Sequence, residues 1–180
     1  MKTILKGLGT ATPPLYATQE EAYEFFTEHF PMEPAEQNLY RRILLDGKIK
    51  GRYLGMDAKT DALETDPDRL LARFLKFGRT TAVAAARRAL AEADVETAEI
   101  TGMIVNTCTG YLCPGLSSYV AADLGLSPSI RFQDLMGMGC GAAIANLEAA
   151  VGILTHSGEG PVLSLAVEIC TATIFPSHEP

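Results

Sequence analysis

The 180-residue sequence has no tryptophan, only three histidines and no long hydrophobic run. Since no segment approaches the roughly 20 apolar residues that cross a bilayer, we predict no membrane span. The first residues, MKTILKGLGTATPP, contain neither a long apolar core nor a small-residue cleavage site, and so do not resemble a signal peptide. We therefore expect the protein to be cytoplasmic.

Cysteine is also scarce, with Cys108, Cys113, Cys140 and Cys170 as the four examples. None of them forms a CxxC pair, and the histidines are scattered, so the sequence predicts no metal site. Disulfides are rare in cytosolic proteins. We expect four reduced thiols that are available for chemistry.

Basic residues are outnumbered, because 15 Lys and Arg stand against 22 Asp and Glu and leave a net charge of −7. Nucleic acid is therefore not expected as the main partner, since phosphate binding requires a basic surface. Five basic residues nevertheless fall close together, namely Arg41, Arg42, Lys48, Lys50 and Arg52. This run predicts a local basic patch, which is either an anion-binding surface or an ordinary solvated face.

The first third of the chain predicts short elements. Residues 3–9 alternate weakly and predict a strand, and Thr18 followed by acidic residues predicts a helix to about residue 29. A second helix is expected over residues 34–45. Residues 48–56 are expected to be irregular, and the polar residues 57–66 to form a loop.

The remainder alternates between helix and strand. Asp66 and Pro67 begin a long helix that should end near residue 93. Strands are predicted at 103–105, 130–135, 161–167 and 171–175, and helices at 115–124 and 142–154. This alternation predicts an α/β fold with a mixed, mainly parallel sheet and helices on both faces.

A glycine-flanked cysteine begins one of these helices, in the segment FQDLMGMGCGAAIANLEAA (132–150). Glycine allows a sharp turn and leaves room beside Cys140, while the amide groups of a helix N-terminus stabilise a thiolate, the reactive form of cysteine. Because the helix is apolar, we expect it to be buried and to hold a nucleophile rigidly. The alternative is an inert cysteine in a packing turn.

Three segments carry a resemblance to a known family. VNTCTGYLCPGLSSYVAADLGL (105–126), the cysteine segment (132–150) and PVLSLAVEICTATIFPS (161–177) occur in the order and spacing typical of that family, and KIKGRYL (48–54) precedes them. Together they resemble the N-terminal half of the thiolase superfamily, and most closely the chalcone synthase-like type III polyketide synthases. The resemblance implies one thiolase-like N-terminal domain over residues 1–180, with the C-terminal half absent.

The resemblance also implies roles for individual residues. Cys140 corresponds to the residue that the starter thioester acylates. Five positions correspond to the acyl cavity, namely Cys108, Thr109, Cys113, Cys170 and Thr173, with Cys113 at the position that reaches across a dimer interface. Arg41, Arg42 and Lys48 fall in the segment that meets the coenzyme A phosphates.

The resemblance implies acyl-CoA and malonyl-CoA as substrates, no separate cofactor and a homodimer. It also implies a catalytic His and Asn from the second half. His156 cannot serve, since 16 residues of helix would place it roughly 24 Å from Cys140, and His178 lies in the terminal tail. We therefore expect that condensation requires the C-terminal half.

Three hypotheses follow from the sequence. The first is a type III polyketide synthase, and the small residues after Cys140 resemble bacterial alkylpyrone-forming relatives that use long acyl starters. The second is a 3-oxoacyl-ACP synthase III-like enzyme, although ACAG is usual around that cysteine; the string GMGC also resembles plant membrane-bound ketoacyl synthases. The third is a catalytically incomplete half that acts as a dimerisation or scaffold partner.

Overall fold

The computed structural model describes residues 3–157 and 160–174. Its helices are α1 (Gln19–His29), α2 (Pro34–Leu44), α3 (Pro67–Ala93), α4 (Leu116–Leu124) and α5 (Ala142–Ser157). Its strands are β1 (Leu15–Thr18), β2 (Gly51–Leu54), β3 (Gly102–Thr107), β4 (Arg131–Met136) and β5 (Val162–Ala166). Short 3₁₀ turns lie at Lys59–Leu63, Thr97–Glu99, Gly139–Gly141 and Cys170–Thr173.

The central sheet is parallel and has the strand order β4-β3-β5. Its register places Val105 of β3 opposite Asp134 of β4 and Leu165 of β5. All six residues of β3 are buried, whereas the first three residues of β4 are exposed. Because both pairings are parallel, the three strands run in one direction and their carboxyl ends meet at the same edge of the sheet.

Helices cover both faces of this sheet. On one face, α3 and α4 bury an apolar core that includes Phe74, Met103, Val105, Leu116 and Val120. On the other face, α5 packs across β3 and β5. The predicted α/β architecture with helices on both faces is confirmed. None of the helices in the described part of the chain is both long and apolar enough to cross a membrane.

Helix boundaries follow their capping residues. Thr18 accepts the N–H of Glu21, and the Glu21 carboxylate accepts the N–H of Thr18, so a capping box begins α1. Asp66 caps α3 ahead of Pro67, and Gly125 ends α4 with a positive φ of 68°. These predicted helix ends are confirmed because each depends on local chemistry.

Two predictions in the first third of the chain were wrong. Residues 48–56 were expected to be irregular, yet they contain β2, which pairs antiparallel with β1 and packs Tyr53 edge-on against Tyr16. Residues 3–9 were expected to form a strand, yet they adopt no regular structure and lie along α3. Gly7 approaches the α3 backbone at Ala89 so closely that a Cβ would not fit.

A third wrong prediction concerns residues 171–175, which were expected to form a strand. Cys170–Thr173 is a 3₁₀ turn, and Phe175 lies outside the described residues. Arg73 of α3 donates to the backbone carbonyls of Ala172 (2.7 Å) and Ile174 (3.4 Å) and also to that of Asp61. These donations hold the segment against α3, so tertiary contacts override the strand preference of Thr and Ile.

Candidate active site

Three of the four cysteines follow the carboxyl ends of adjacent parallel strands. Cys108 comes directly after β3, whereas Cys140 and Cys170 lie in the 3₁₀ turns that follow β4 and β5. The three cysteine-bearing turns therefore lie at the same edge of the sheet. All four cysteines are free thiols, as predicted.

The turn around Cys140 requires glycine before the cysteine but not after it. Gly137 and Gly139 have positive φ angles of 73° and 63°, which favour glycine, whereas Gly141 does not. Apart from the adjacent residues of the chain, no atom lies within 4 Å of a Cβ built on Gly139 or Gly141, so the backbone on both sides of Cys140 borders open space. The thiol is exposed two residues before α5, and the first amide of that helix, the Ala142 N–H, donates to the Gly139 carbonyl.

The prediction that α5 is buried was wrong for one of its faces. Ala142, Asn146 and Ala150 pack against the sheet, but Ile144, Leu147 and Val151 are 65%, 53% and 43% exposed. A helix that lies on a sheet buries only the side that faces the strands. Because α5 is apolar on all sides, its sequence did not show which side would be buried.

Cys108 is held by Glu168, which follows β5. The Glu168 carboxylate accepts the Cys108 N–H at 3.0 and 3.1 Å and the thiol at 3.3 Å. This hydrogen bond, then desolvation and the nearby negative charges, raises the pKa of Cys108. Cys108 is therefore kept as a neutral thiol beside the exposed Cys140.

Replacing Glu168 with glutamine is expected to make Cys108 react faster with iodoacetamide. Removing the carboxylate favours the thiolate, so the pKa of Cys108 falls and alkylation rises several-fold below that pKa. Peptide-resolved alkylation from about pH 7 to about pH 10 measures the change. Cys113 is the internal control, and an unchanged pH profile for Cys108 would contradict the prediction.

Thr109 connects two of the cysteine-bearing turns. Its hydroxyl accepts the Ile169 N–H at 3.0 Å, and it lies 3.2 Å from the Thr107 hydroxyl. Thr173 donates to the Cys170 carbonyl at 3.3 Å. Thr109 thus lies between the Cys108 and Cys170 turns, whereas the Thr173 hydroxyl is engaged within its own turn.

Cys113 is exposed on the loop between β3 and α4, where its peptide bond to Pro114 is cis. Asp134 of β4 fixes the end of this loop, because its carboxylate accepts both the N–H (3.1 Å) and the hydroxyl of Ser117. The sequence did not single out Asp134. The feature that could have drawn attention to Asp134 is an acidic residue inside a predicted strand, which needs a hydrogen-bond partner when it is buried.

The basic residues lie on a separate part of the fold. Arg41 and Arg42 occupy the last turn of α2, which packs on α1 through Phe26 and Tyr40, and Lys48 is exposed in the following loop. Among the described residues, no ion pair involves any of these three side chains. The next strand, β2, connects this region to the Cys170 turn, because the Gly55 N–H donates to the Thr171 hydroxyl at 2.8 Å.

The sequence and the fold are both similar to those of a known protein family. The family described as FAE1/Type III polyketide synthase-like protein matches residues 21–179. The chain is 29% identical over 174 residues to an alpha-pyrone synthesis polyketide synthase-like protein of Mycobacterium tuberculosis, covering 93% of this chain and 44% of the relative. It is 31% identical to bisdemethoxycurcumin synthase of Oryza sativa subsp. japonica, covering 90% of this chain and 43% of the relative.

Solved structures agree with these sequence matches. A fungal type III polyketide synthase superimposes with a TM-score of 0.82 and 30% identity, over 94% of this chain and 47% of that protein. A type III pentaketide synthase from Neurospora crassa gives a TM-score of 0.81 at 30% identity, with the same coverage. The chain thus spans less than half the length of these relatives. With the fold and most of its length matched, the chain belongs to the FAE1/Type III polyketide synthase-like family.

Proposed function

We propose that this chain carries the acyl-accepting site of a type III polyketide synthase, with Cys140 as the nucleophile. The observation that supports this most directly is the exposed Cys140 thiol, which lies in a glycine turn at the start of α5 with open space on both sides. Cys108, Thr109, Cys170 and Thr173 surround the same strand ends and form part of the acyl cavity. Because Glu168 engages the Cys108 thiol, we assign the acyl group to the exposed Cys140.

The reaction begins when the Cys140 thiolate attacks the carbonyl carbon of an acyl-CoA. The carbon–sulfur bond to coenzyme A breaks, coenzyme A leaves as its thiolate, and the acyl group remains on Cys140 as a thioester. Malonyl-CoA then loses carbon dioxide, and its enolate carbon attacks this thioester. The new carbon–carbon bond releases Cys140, and the extended product is a 3-oxoacyl-CoA.

Other parts of the proposal concern the remaining catalytic groups, coenzyme A binding and assembly. The relatives are about twice as long, which supports a C-terminal half that supplies the His and Asn for decarboxylation and condensation. We assign Arg41, Arg42 and Lys48 to the coenzyme A phosphates, because they are exposed and basic. Exposed Cys113 is assigned to a homodimer interface, and the cytoplasmic location stays a prediction.

The small residues after Cys140 support a long acyl starter. Gly141 presents only hydrogen, and Ala142 is turned into the protein and fully buried. The mycobacterial relative is named for alpha-pyrone synthesis, the product class that the resemblance of this segment suggested. The family match makes a 3-oxoacyl-ACP synthase III-like activity the less favoured alternative.

Mass spectrometry of the protein after incubation with lauroyl-CoA tests the proposal. We expect one lauroyl group per chain, located on the peptide that contains Cys140. The adduct should be lost in Cys140→Ala and retained in Cys108→Ser and Cys170→Ser, which remove the neighbouring thiols one at a time. In the protein complemented with its C-terminal half, adding malonyl-CoA should then convert the adduct into extended products.

Two results would overturn the proposal. One is an adduct of equal yield in Cys140→Ala, which would place the acyl group on another residue. The other is the absence of any Cys140 adduct in the protein complemented with its C-terminal half, which would leave the scaffold hypothesis. Products of a single condensation would instead favour the 3-oxoacyl-ACP synthase III-like alternative.

A further inference from the structure

A buried amide network lies beneath the helix that carries Cys140. Asn146 of α5 donates through Nδ2 to Asn106 Oδ1 on β3 (2.8 Å) and to the Leu165 carbonyl on β5 (2.9 Å). Its Oδ1 accepts the Ser164 hydroxyl at 2.7 Å. Asn146 and Asn106 are 1% and 2% exposed, so both amides have left water and depend on these partners.

The fully buried residues beside Asn146 on α5 are small, and the larger Ile153 lies at the far end of the helix against Gly102 of β3. The neighbouring buried residues on this face are Ala142 and Ala150, one turn before and one turn after Asn146. Small methyl groups interdigitate with a sheet less than large side chains do, so the first turns of α5 depend more on the hydrogen bonds of Asn146. Hydrogen bonds are directional, and those of Asn146 reach two different strands.

Cys140 is close to this network along the chain. Ala142 begins α5, so Asn146 lies only about 6 Å further along the helix axis. A rotation or shift of α5 would therefore be transmitted to its first turn and to Cys140, which lies two residues before it. The outer face of α5 is exposed among the described residues, so the sheet side carries the restraint seen here.

We propose that Asn146 is a positioning residue, which uses Asn106, Leu165 and Ser164 to fix α5 and thereby the geometry of Cys140 toward its acyl donor. This inference rests on the proposed function of Cys140 and deepens it. Asn146 does not touch the substrate; it acts through the helix. Loss of its hydrogen bonds should slow acylation while binding of the donor stays unchanged.

The decisive variant replaces the whole network with apolar side chains, Asn106→Val, Asn146→Leu and Ser164→Ala. Replacing both donors and acceptors leaves few unpaired groups, so folding stability should stay close to that of the wild type. We expect the maximal rate of Cys140 acylation by lauroyl-CoA to fall about 10- to 100-fold, with an unchanged half-saturating concentration. Amide exchange should accelerate in residues 140–146 and not in β3.

Two further variants separate positioning from stability. Ala150→Gly weakens α5 one turn further on without removing a hydrogen bond of the network, and should keep the wild-type maximal rate. Ser164→Ala removes one of the three bonds and should give an intermediate rate, which keeps the test usable if the triple variant does not fold.

A wild-type maximal rate in the folded triple variant, or equal losses in Ala150→Gly and Ser164→Ala, would overturn the inference. Unchanged amide exchange in residues 140–146 would overturn it as well. Absence of acylation in the wild type would instead count against the proposed function, because the exchange measurement needs no acyl-CoA.

Discussion

Replacing Phe74 with alanine is expected to lower the free energy of unfolding by about 3–5 kcal/mol. Phe74 lies on α3 with 0% exposure and belongs to the core between this helix and the sheet. Removing its ring forfeits apolar burial and leaves a cavity. Urea unfolding followed by circular dichroism measures the loss. Leu71→Ala is the matched control on the same helix, because Leu71 is 40% exposed and should cost about 1 kcal/mol or less.

Phe74 also supports the turn that carries Cys108. The three atoms nearest to a Cβ built on Gly110 all belong to the Phe74 ring, and that Cβ would overlap them. Gly110→Ala should therefore be strongly destabilising alone and tolerated in the Phe74→Ala background. A double-mutant cycle should give a coupling of about 1–3 kcal/mol. Additive effects would show that the ring and the turn are not in contact, and a Phe74→Ala loss below about 1 kcal/mol would contradict the core assignment.

The elements that could be predicted from sequence are those determined by neighbouring residues. Thr18 with Glu21 and Asp66 with Pro67 begin helices through local hydrogen bonds and backbone geometry. The strand β2 could not be found in this way, because its pairing partner β1 is distant in sequence and neither strand alternates cleanly. Residues 3–9 show the opposite error. Their alternating apolar and polar residues predicted a strand, but a strand also needs a partner strand to pair with.

The site could be predicted only in part. The resemblance identified Cys108, Cys140 and Cys170, which the structure places after the ends of adjacent parallel strands. It did not reveal what holds them. Asn106 and Asn146 each interrupt an apolar segment, which signals a buried polar contact, but a sequence does not show that two such residues meet.

Asp134 gives the second large predicted effect. Asp134→Ala should lower the free energy of unfolding by about 1.5–3 kcal/mol, because two hydrogen bonds to a carboxylate are lost at the start of α4. Ser117 is 2% exposed, so its hydroxyl would be left without this acceptor inside the protein. Asp134→Asn keeps one carbonyl oxygen and should cost less. Urea unfolding of the two variants, side by side, measures this difference.

The same carboxylate also connects two parts of the site, since β4 leads into the Cys140 turn and Ser117 follows the loop that carries Cys113. Gly115 lets the chain approach, because a Cβ there would overlap the Asp134 carboxylate. In Asp134→Ala, amide exchange should therefore accelerate in residues 108–117 more than in α3. Uniform acceleration, or an Asp134→Asn loss equal to that of Asp134→Ala, would show that the carboxylate supports the fold generally and does not hold this loop. A local response would mean that Asp134 fixes the Cys113 loop relative to Cys140, which a cavity built from both segments requires.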